Sequence, residues 1–424
     1  MARLIVEIPN DNSPASSMAA EYLRSRAQVV GCKYWYELAE YLNRKQVNQY
    51  GRVYKLPVSY HLLETLPGVT TFEAVTRIAR EHNDRTGTNP PHGYVGRIEL
   101  DRHFHLSASA KRLGTGFAIG GEHSNYMSDM AVAAAQAATK GKGDITHIAI
   151  LDTGIDPSTL KPDSFRDLVS GPPSSTEVDV NGHGTAMAKI ISEVAPEAKI
   201  HVIRVAEDDT ATLWEVMAGL TTAVFEAQAH LINLSLGFSE LGLDCSECGA
   251  SGTTRSKTFE DLLSALDATQ PGPDPPPRPV LIAAAGNDSG DALDYPAAFD
   301  AVLAVGSVCK TSGTYNRSPF SNYTTDRKDA HVLLPGGDDT LDSTGIPSEY
   351  VGTGSDAGVT TYCYGTSAAT AYATGLLALY RCLPAHIAQT PQELIDDMIS
   401  KCHSGKISSY DVDEDGAGFL YYHP

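Results

Sequence analysis

The sequence predicts an α/β protein: a doubly wound, mainly parallel sheet preceded by a smaller N-terminal α/β domain. Three observations carry this. From about residue 125 the strings THIAIL, KIHVIRV, HLINLSL, PVLIAAA and AVLAVGSV are short and almost continuously apolar, as parallel strands covered on both faces must be. Amphipathic stretches such as WEVMAGLTTAVFEAQ alternate with them. The charge also breaks: through Arg112 there are 15 Lys and Arg against 11 Asp and Glu, while the remainder carries 17 against 41, within a net formal charge of −20.

The first region reads, in order, as a strand RLIVEI, a helix over SMAAEYLRSRAQVV, a helix over YWYELAEYLNRK, a strand RVYKLPV, a helix TTFEAVTRIAREHN and a strand YVGRIEL. The Gly-rich stretch RLGTGFAIGGEHSN then reads as a connection. The expected organisation is therefore residues 1–112 as a small regulatory or propeptide-like domain, 113–124 as a linker and 125–424 as the main domain. A mildly basic unit tethered to a strongly acidic one is drawn toward it electrostatically. The Pro-rich DATQPGPDPPPRP joins a helix, TFEDLLSALDA, to a strand, and so reads as a surface loop within the main domain.

Composition narrows the function. An acidic main domain argues against nucleic acid as a partner. The apolar run in MARLIVEIPNDNSPASS is too short for a secretory signal or a membrane span, so the expected location is cytoplasmic, without membrane association. Seven cysteines without framework spacing fit a reducing compartment. Cys245 and Cys248 have the spacing of half a zinc site but no second pair follows, and Cys363 reads as a small buried hydrophobe. The tail DVDEDGAGFL places Asp411, Asp413, Asp415 and Gly416 as at the start of a calcium loop, yet position twelve is Tyr422 in place of Glu.

Four residues carry chemistry when taken together. Asp152 closes the strand THIAIL, His183 lies in NGHGTAMAKII at a helix start, Asn287 ends PVLIAAAGN, and Ser367 opens the helix of YGTSAATAYATGLLALY. A serine hydroxyl is a weak nucleophile at neutral pH and needs a base. Imidazole takes and returns the proton, and a buried carboxylate fixes the ring and stabilises its cation. The Asn287 amide and the Ser367 N–H supply donors for an oxyanion, the former worth about 3 kcal/mol in the transition state.

The order Asp, His, Asn, Ser, with ILDTGID, NGHGT, VAPEAKIHVIRV, INLSLG, AAAGND, YPAAFDAVLAVGSV, FSNY, LPGG and YGTSAATA, resembles the subtilisin-like serine peptidases from about Lys142 to the C-terminus. The resemblance implies a subtilisin-like fold and a serine endopeptidase with Asp152, His183 and Ser367 as triad and Asn287 as oxyanion donor. It implies that Ser235, Leu236 and Gly237 line one side of the substrate cleft and Ala284, Ala285 and Gly286 the other. Small residues there leave the backbone open to an added strand. Protein or peptide substrates follow, with no cofactor needed for the chemistry; the family's structural calcium has no position assigned by this sequence. The N-terminal domain is expected to control the enzyme, either as a propeptide or by binding a regulatory protein partner. Ala186, Ala368 and Ala371 depart from the family's usual residues, and none removes a proton-carrying group. The alternative is a catalytically silent scaffold that binds extended peptides.

Overall fold

The computed structural model describes all residues except 45–55, 57, 83–96, 102, 107–108, 113–121, 141–145, 170–177, 239–254, 268–276, 326–330, 339–345, 352–356, 388 and 423–424. The chain divides into two compact units, one of residues 1–103, 212–226 and 256–275 and the other of the rest. Two helices from the later part of the chain thus cluster with the N-terminal residues, a division that differs from a single boundary at 112. The linker expected over 113–124 and the Cys245 and Cys248 pair lie, wholly or mostly, outside the described residues.

In the first unit a four-stranded antiparallel sheet runs in the order Cys32–Glu37, Val58–Thr65, Arg3–Pro9, Arg97–Leu100. Alternation along the Arg3–Pro9 strand sends Leu4, Val6 and Ile8 into one core with Tyr22 and Leu23 of the helix Pro14–Arg26 and Ala74 and Ile78 of the helix Thr71–His82. Ser13 caps the first of these helices, its hydroxyl accepting from the Ser16 N–H. Gly31, at φ +78°, ends the 3-10 turn that follows.

Two expectations shift here. The helix read over YWYELAEYLNRK begins later: Cys32–Glu37 is a strand, and the helix occupies Leu38–Arg44. Its aromatic start fits a pleated surface, and the Val58–Thr65 strand provides the ladder that a local reading does not see. The strand read over RVYKLPV falls mostly outside the described residues, and the central strand starts at Val58.

The helices Leu213–Phe225 and Lys257–Asp267 complete this unit. Thr212 and Glu215 form a capping box at the first. The Trp214 N–H donates to Asp101 Oδ1 at 2.8 Å, and Arg3 bridges Asp101 (2.8 Å) and Glu215 (3.6 Å). Arg97 likewise joins Asp261 (2.7 Å) and Glu7 (3.5 Å). Burial pushes the Glu215 carboxyl up to about 7 against the pull of Arg3.

The second unit is built on an eight-stranded sheet. Its order is Thr314–Arg317, Val302–Thr311, Val280–Ala284, Leu231–Leu234, His147–Asp152, Lys199–Arg204, Ser164–Asp167, with His331–Pro335 also on Val302–Thr311. All pairings are parallel except that of Thr314–Arg317. The five predicted apolar runs are these central strands. From His147–Asp152 the order proceeds to Lys199–Arg204 on one side and to Leu231–Leu234 on the other, so the crevice between their carboxyl ends is a topological switch point. The helix Thr366–Arg381 is buried along nearly its whole length. A methyl group added at Gly375 would come within 2.6 Å of Val194 Cβ at the end of the helix His183–Val194, which is how closely these two helices pack.

Candidate active site

Asp152 is the last residue of its strand and is fully buried. Its Oδ1 accepts from the Thr153 N–H at 2.7 Å and faces His183 Nδ1 at 2.7 Å. The ring sits at the first position of its helix because Asp179 holds that helix start: Oδ1 accepts from the Gly182 N–H and Oδ2 from the N–H and hydroxyl of Thr185. Thr153 ties the two parts, donating to Asp179 Oδ1 and accepting from the Gly184 N–H. A Cβ at Gly184 would lie 2.3 Å from the Gly154 carbonyl oxygen, so only glycine lets the helix approach the strand end.

The His183 ring is 8% exposed. Burial works to lower its pKa, and the Asp152 carboxylate, by charge and hydrogen bond, with Asp179 behind it, outweighs that and raises it. Its Nε2 is buried and has no hydrogen-bond partner among the described residues. The imidazole is therefore oriented at one nitrogen and bare at the other, as a base poised for a proton must be.

Ser367 is fully buried one residue into its helix, after Gly365 at φ +141°. Its hydroxyl donates to the Ser235 carbonyl at 2.9 Å and not to His183. The Ser235 hydroxyl in turn donates to the Ser367 carbonyl and accepts from Asn233 Nδ2, and Asn233 Oδ1 accepts from the Thr374 hydroxyl about two turns further along the same helix. This buried network locks the Ser367 helix to the Leu231–Leu234 strand. Asn287 reaches the same helix start: its Oδ1 accepts from the Thr366 N–H at 3.0 Å and the Thr366 hydroxyl at 2.9 Å. Because an N–H can only donate, the oxygen end of the amide is fixed there and its NH2 is turned the other way.

Ser235, Leu236 and Gly237 follow the Leu231–Leu234 strand, and Ala284, Ala285 and Gly286 close the Val280–Ala284 strand, so the six residues expected to flank the cleft lie on adjacent strand ends. The Leu236–Gly237 edge is occupied: Leu106 pairs with Leu236 and His105 with Gly237, antiparallel. The chain then pairs again, Ser109 with Tyr364, Ala110 with Cys363, Lys111 with Tyr362 and Arg112 with Thr361, on the strand that leads into Ser367. Cys363 is buried, and burial pushes its thiol up to about 12, which leaves it unreactive. Asp179, Thr153 and Thr366 escape a sequence reading because their roles depend on contacts across the fold. The one local signal is an Asp four residues before His183, suited to a helix start.

Among the described residues no group of three or more His, Cys, Asp or Glu is placed to hold a metal ion. In the tail, Asp411 caps Asp413, and Asp415 accepts from the Asp411 N–H and meets Arg317 at 3.4 Å.

Residues 143–400 match the model of the subtilase family, and the chain belongs to that family. Among curated relatives it is 30% identical to subtilisin DY of Bacillus licheniformis over 46% of this chain and 66% of that protein, and 28% identical to the minor extracellular protease Epr of Bacillus subtilis over 56% and 32%. The chain thus spans between a third and two thirds of the length of these relatives. Among solved structures, the epidermin leader peptide processing serine protease (EpiP) of Staphylococcus aureus superposes with a TM-score of 0.65 at 20% identity, covering 99% of this chain and 97% of that one, a likeness of fold.

Proposed function

We propose that this protein is a serine endopeptidase. Ser367 attacks the peptide carbonyl, His183 takes its proton and delivers it to the leaving amine, Asp152 orients and stabilises the imidazolium, and the Asn287 NH2 with backbone N–H groups receives the developing oxyanion. Water then attacks the acyl-enzyme, with His183 as base. The observation that carries this reading is the Asp152–His183 contact of 2.7 Å with a bare, buried Nε2. Turning the Ser367 hydroxyl off the Ser235 carbonyl is a single rotation about χ1.

The same reading makes residues 1–112 an internal inhibitor. His105 and Leu106 lie on the edge where a substrate would add as a strand, and Ser109–Arg112 lies on the strand leading to the nucleophile, so an incoming peptide must displace this segment. Cleavage near residues 110 to 125 that depends on Ser367 would release the cleft and mark the N-terminal region as a propeptide. A stably intact yet active chain would mark them instead as a partner-binding domain.

Casein hydrolysis and labelling by a serine-directed phosphonate, with Ser367→Ala as control, test the assignment. Activity and labelling both vanish in the variant. Labelling that persists at another residue refutes it, and a folded, unlabelled wild type without activity indicates a silent scaffold.

A further inference from the structure

Asp294 has no role in the chemistry described above, yet it stands in a costly place. The residue is 8% exposed. Its N–H donates to the Ala285 carbonyl at 2.9 Å, and the next residue, Tyr295, exchanges two 2.9 Å backbone bonds with Phe238. The chain at Asp294 is thereby strapped to both flanks of the cleft, the segment ending in Gly286 and the one containing Gly237.

The side chain lies between those flanks. A Cβ built on Gly286 would come 2.6 Å from Asp294 Oδ2, and one built on Gly237 would come 2.9 Å from Asp294 Cβ and 3.3 Å from Oδ2. The carboxylate therefore faces the two positions at which the flanks carry no side chain. Its one hydrogen bond among the described residues is a long one, 3.5 Å from Asn322 Nδ2 to Oδ1. No ion pair with Lys, Arg or His is formed by it among the described residues. Burial, with the exposed Asp288 near the oxyanion Asn287 adding like charge, pushes its carboxyl up to about 7.

A buried carboxylate without a cation is destabilising, and a hydrophobic residue of similar size would remove that cost. The arrangement is explained if the missing cation arrives with the substrate. We propose that Asp294 forms the floor of the primary specificity pocket and selects substrates with Arg or Lys on the acyl side of the scissile bond. The inference rests on the peptidase reading above. A guanidinium brought to the Gly237 and Gly286 flanks would pair with Asp294 Oδ2, beside Asn322, whose Nδ2 lies 2.3 Å from where a Gly286 Cβ would stand. Lysine makes the same contact as a point charge. An apolar side chain would leave the carboxylate buried and unpaired.

The test uses the full chain after self-processing, with four fluorogenic peptides that differ only in the residue before the bond: Arg, Lys, Leu and Ala. Wild type is expected to favour Arg and Lys over Leu by about 100-fold in kcat/KM. In Asp294→Asn, which keeps the shape and removes the charge, kcat/KM for the Arg and Lys peptides falls and their ratio to Leu drops to near one. Benzamidine, an aryl cation, inhibits wild-type cleavage of the Ala peptide competitively, which decides the matter if the variant does not fold. A wild type that prefers Leu or Ala, or a variant that keeps the Arg preference, overturns the pocket assignment alone. A folded, processed wild type that cleaves none of the four overturns the peptidase reading and the pocket with it.

Discussion

Replacing Asp152 by Asn removes one charge from the most enclosed contact of the site and leaves its shape. In the transition state His183 becomes a cation whose charge centre lies about 4 Å from that of the carboxylate, worth about 4 kcal/mol at an effective dielectric constant near 20. Losing it lowers kcat by about 10³-fold, and the wrong ring tautomer, favoured when an amide NH2 faces Nδ1, brings the loss toward about 10⁴. The pH profile changes in a defined direction. Only neutral His183 acts as base, so kcat/KM rises with pH through the imidazole pKa, which Asp152 holds above the ordinary value of 6.5. With Asn in its place burial still disfavours the cation but the attraction is gone, so the acid limb moves to lower pH. The assay is kcat/KM for a fluorogenic peptide from pH 4 to 10, with active sites titrated by a phosphonate. A loss smaller than about ten-fold, or an acid limb that stays in place, refutes the assignment of Asp152 as the orienting carboxylate.

Thr366→Val removes the hydroxyl that pins Asn287 Oδ1 and leaves the backbone N–H, so kcat is expected to fall about ten-fold with KM little changed; an equal rise in KM would mean that substrate binding was lost instead. Gly375→Ala forces a methyl group against Val194 and is expected to cost about 2 kcal/mol in urea denaturation, with normal activity per titrated site. Arg3→Met strands Asp101 and Glu215 without their shared cation, at about 2 kcal/mol, and more at pH 8 than at pH 6, because Glu215 loses its proton near 7. His201, buried beside His147, is held down to about 4, so the unfolded chain binds its proton first as pH falls from 6.5 and stability drops across that window; His201→Asn should flatten the drop, as read by melting temperature against pH.

The residues proposed for catalysis stand out in the sequence because their surroundings are dictated locally. A buried parallel strand must be apolar, and a helix start that approaches a strand end must be glycine, so Asp152, Gly184 and Ser367 stand in recognisable strings. What supports them was not legible. Asp179 acts on His183 through helix-start N–H groups, Thr366 acts on Asn287 across 79 positions, and the resting partner of the Ser367 hydroxyl is a carbonyl 132 positions away. In the first region, Tyr34–Glu37 reads as helix because its aromatic run leads directly into one, and only the register with Val58–Thr65 reveals the strand. Asp294 does not stand out beside YPAAFDAVLAVGSV because an acid before a turn is ordinary; its neighbours across the cleft make it unusual.

The helices Leu213–Phe225 and Lys257–Asp267 share a compact unit with the first hundred residues, although in sequence they fall inside the stretch that matches the family. A shortened gene beginning after Arg112 would therefore not excise a module at its seam. It would strip Trp214 of the acceptor for its backbone N–H, deprive Glu215 of its cationic neighbour and bare helix faces formed against another layer. On the propeptide reading proposed above, severing the peptide link and letting go of the fragment would be separate events, the second governed by how those surfaces take to water.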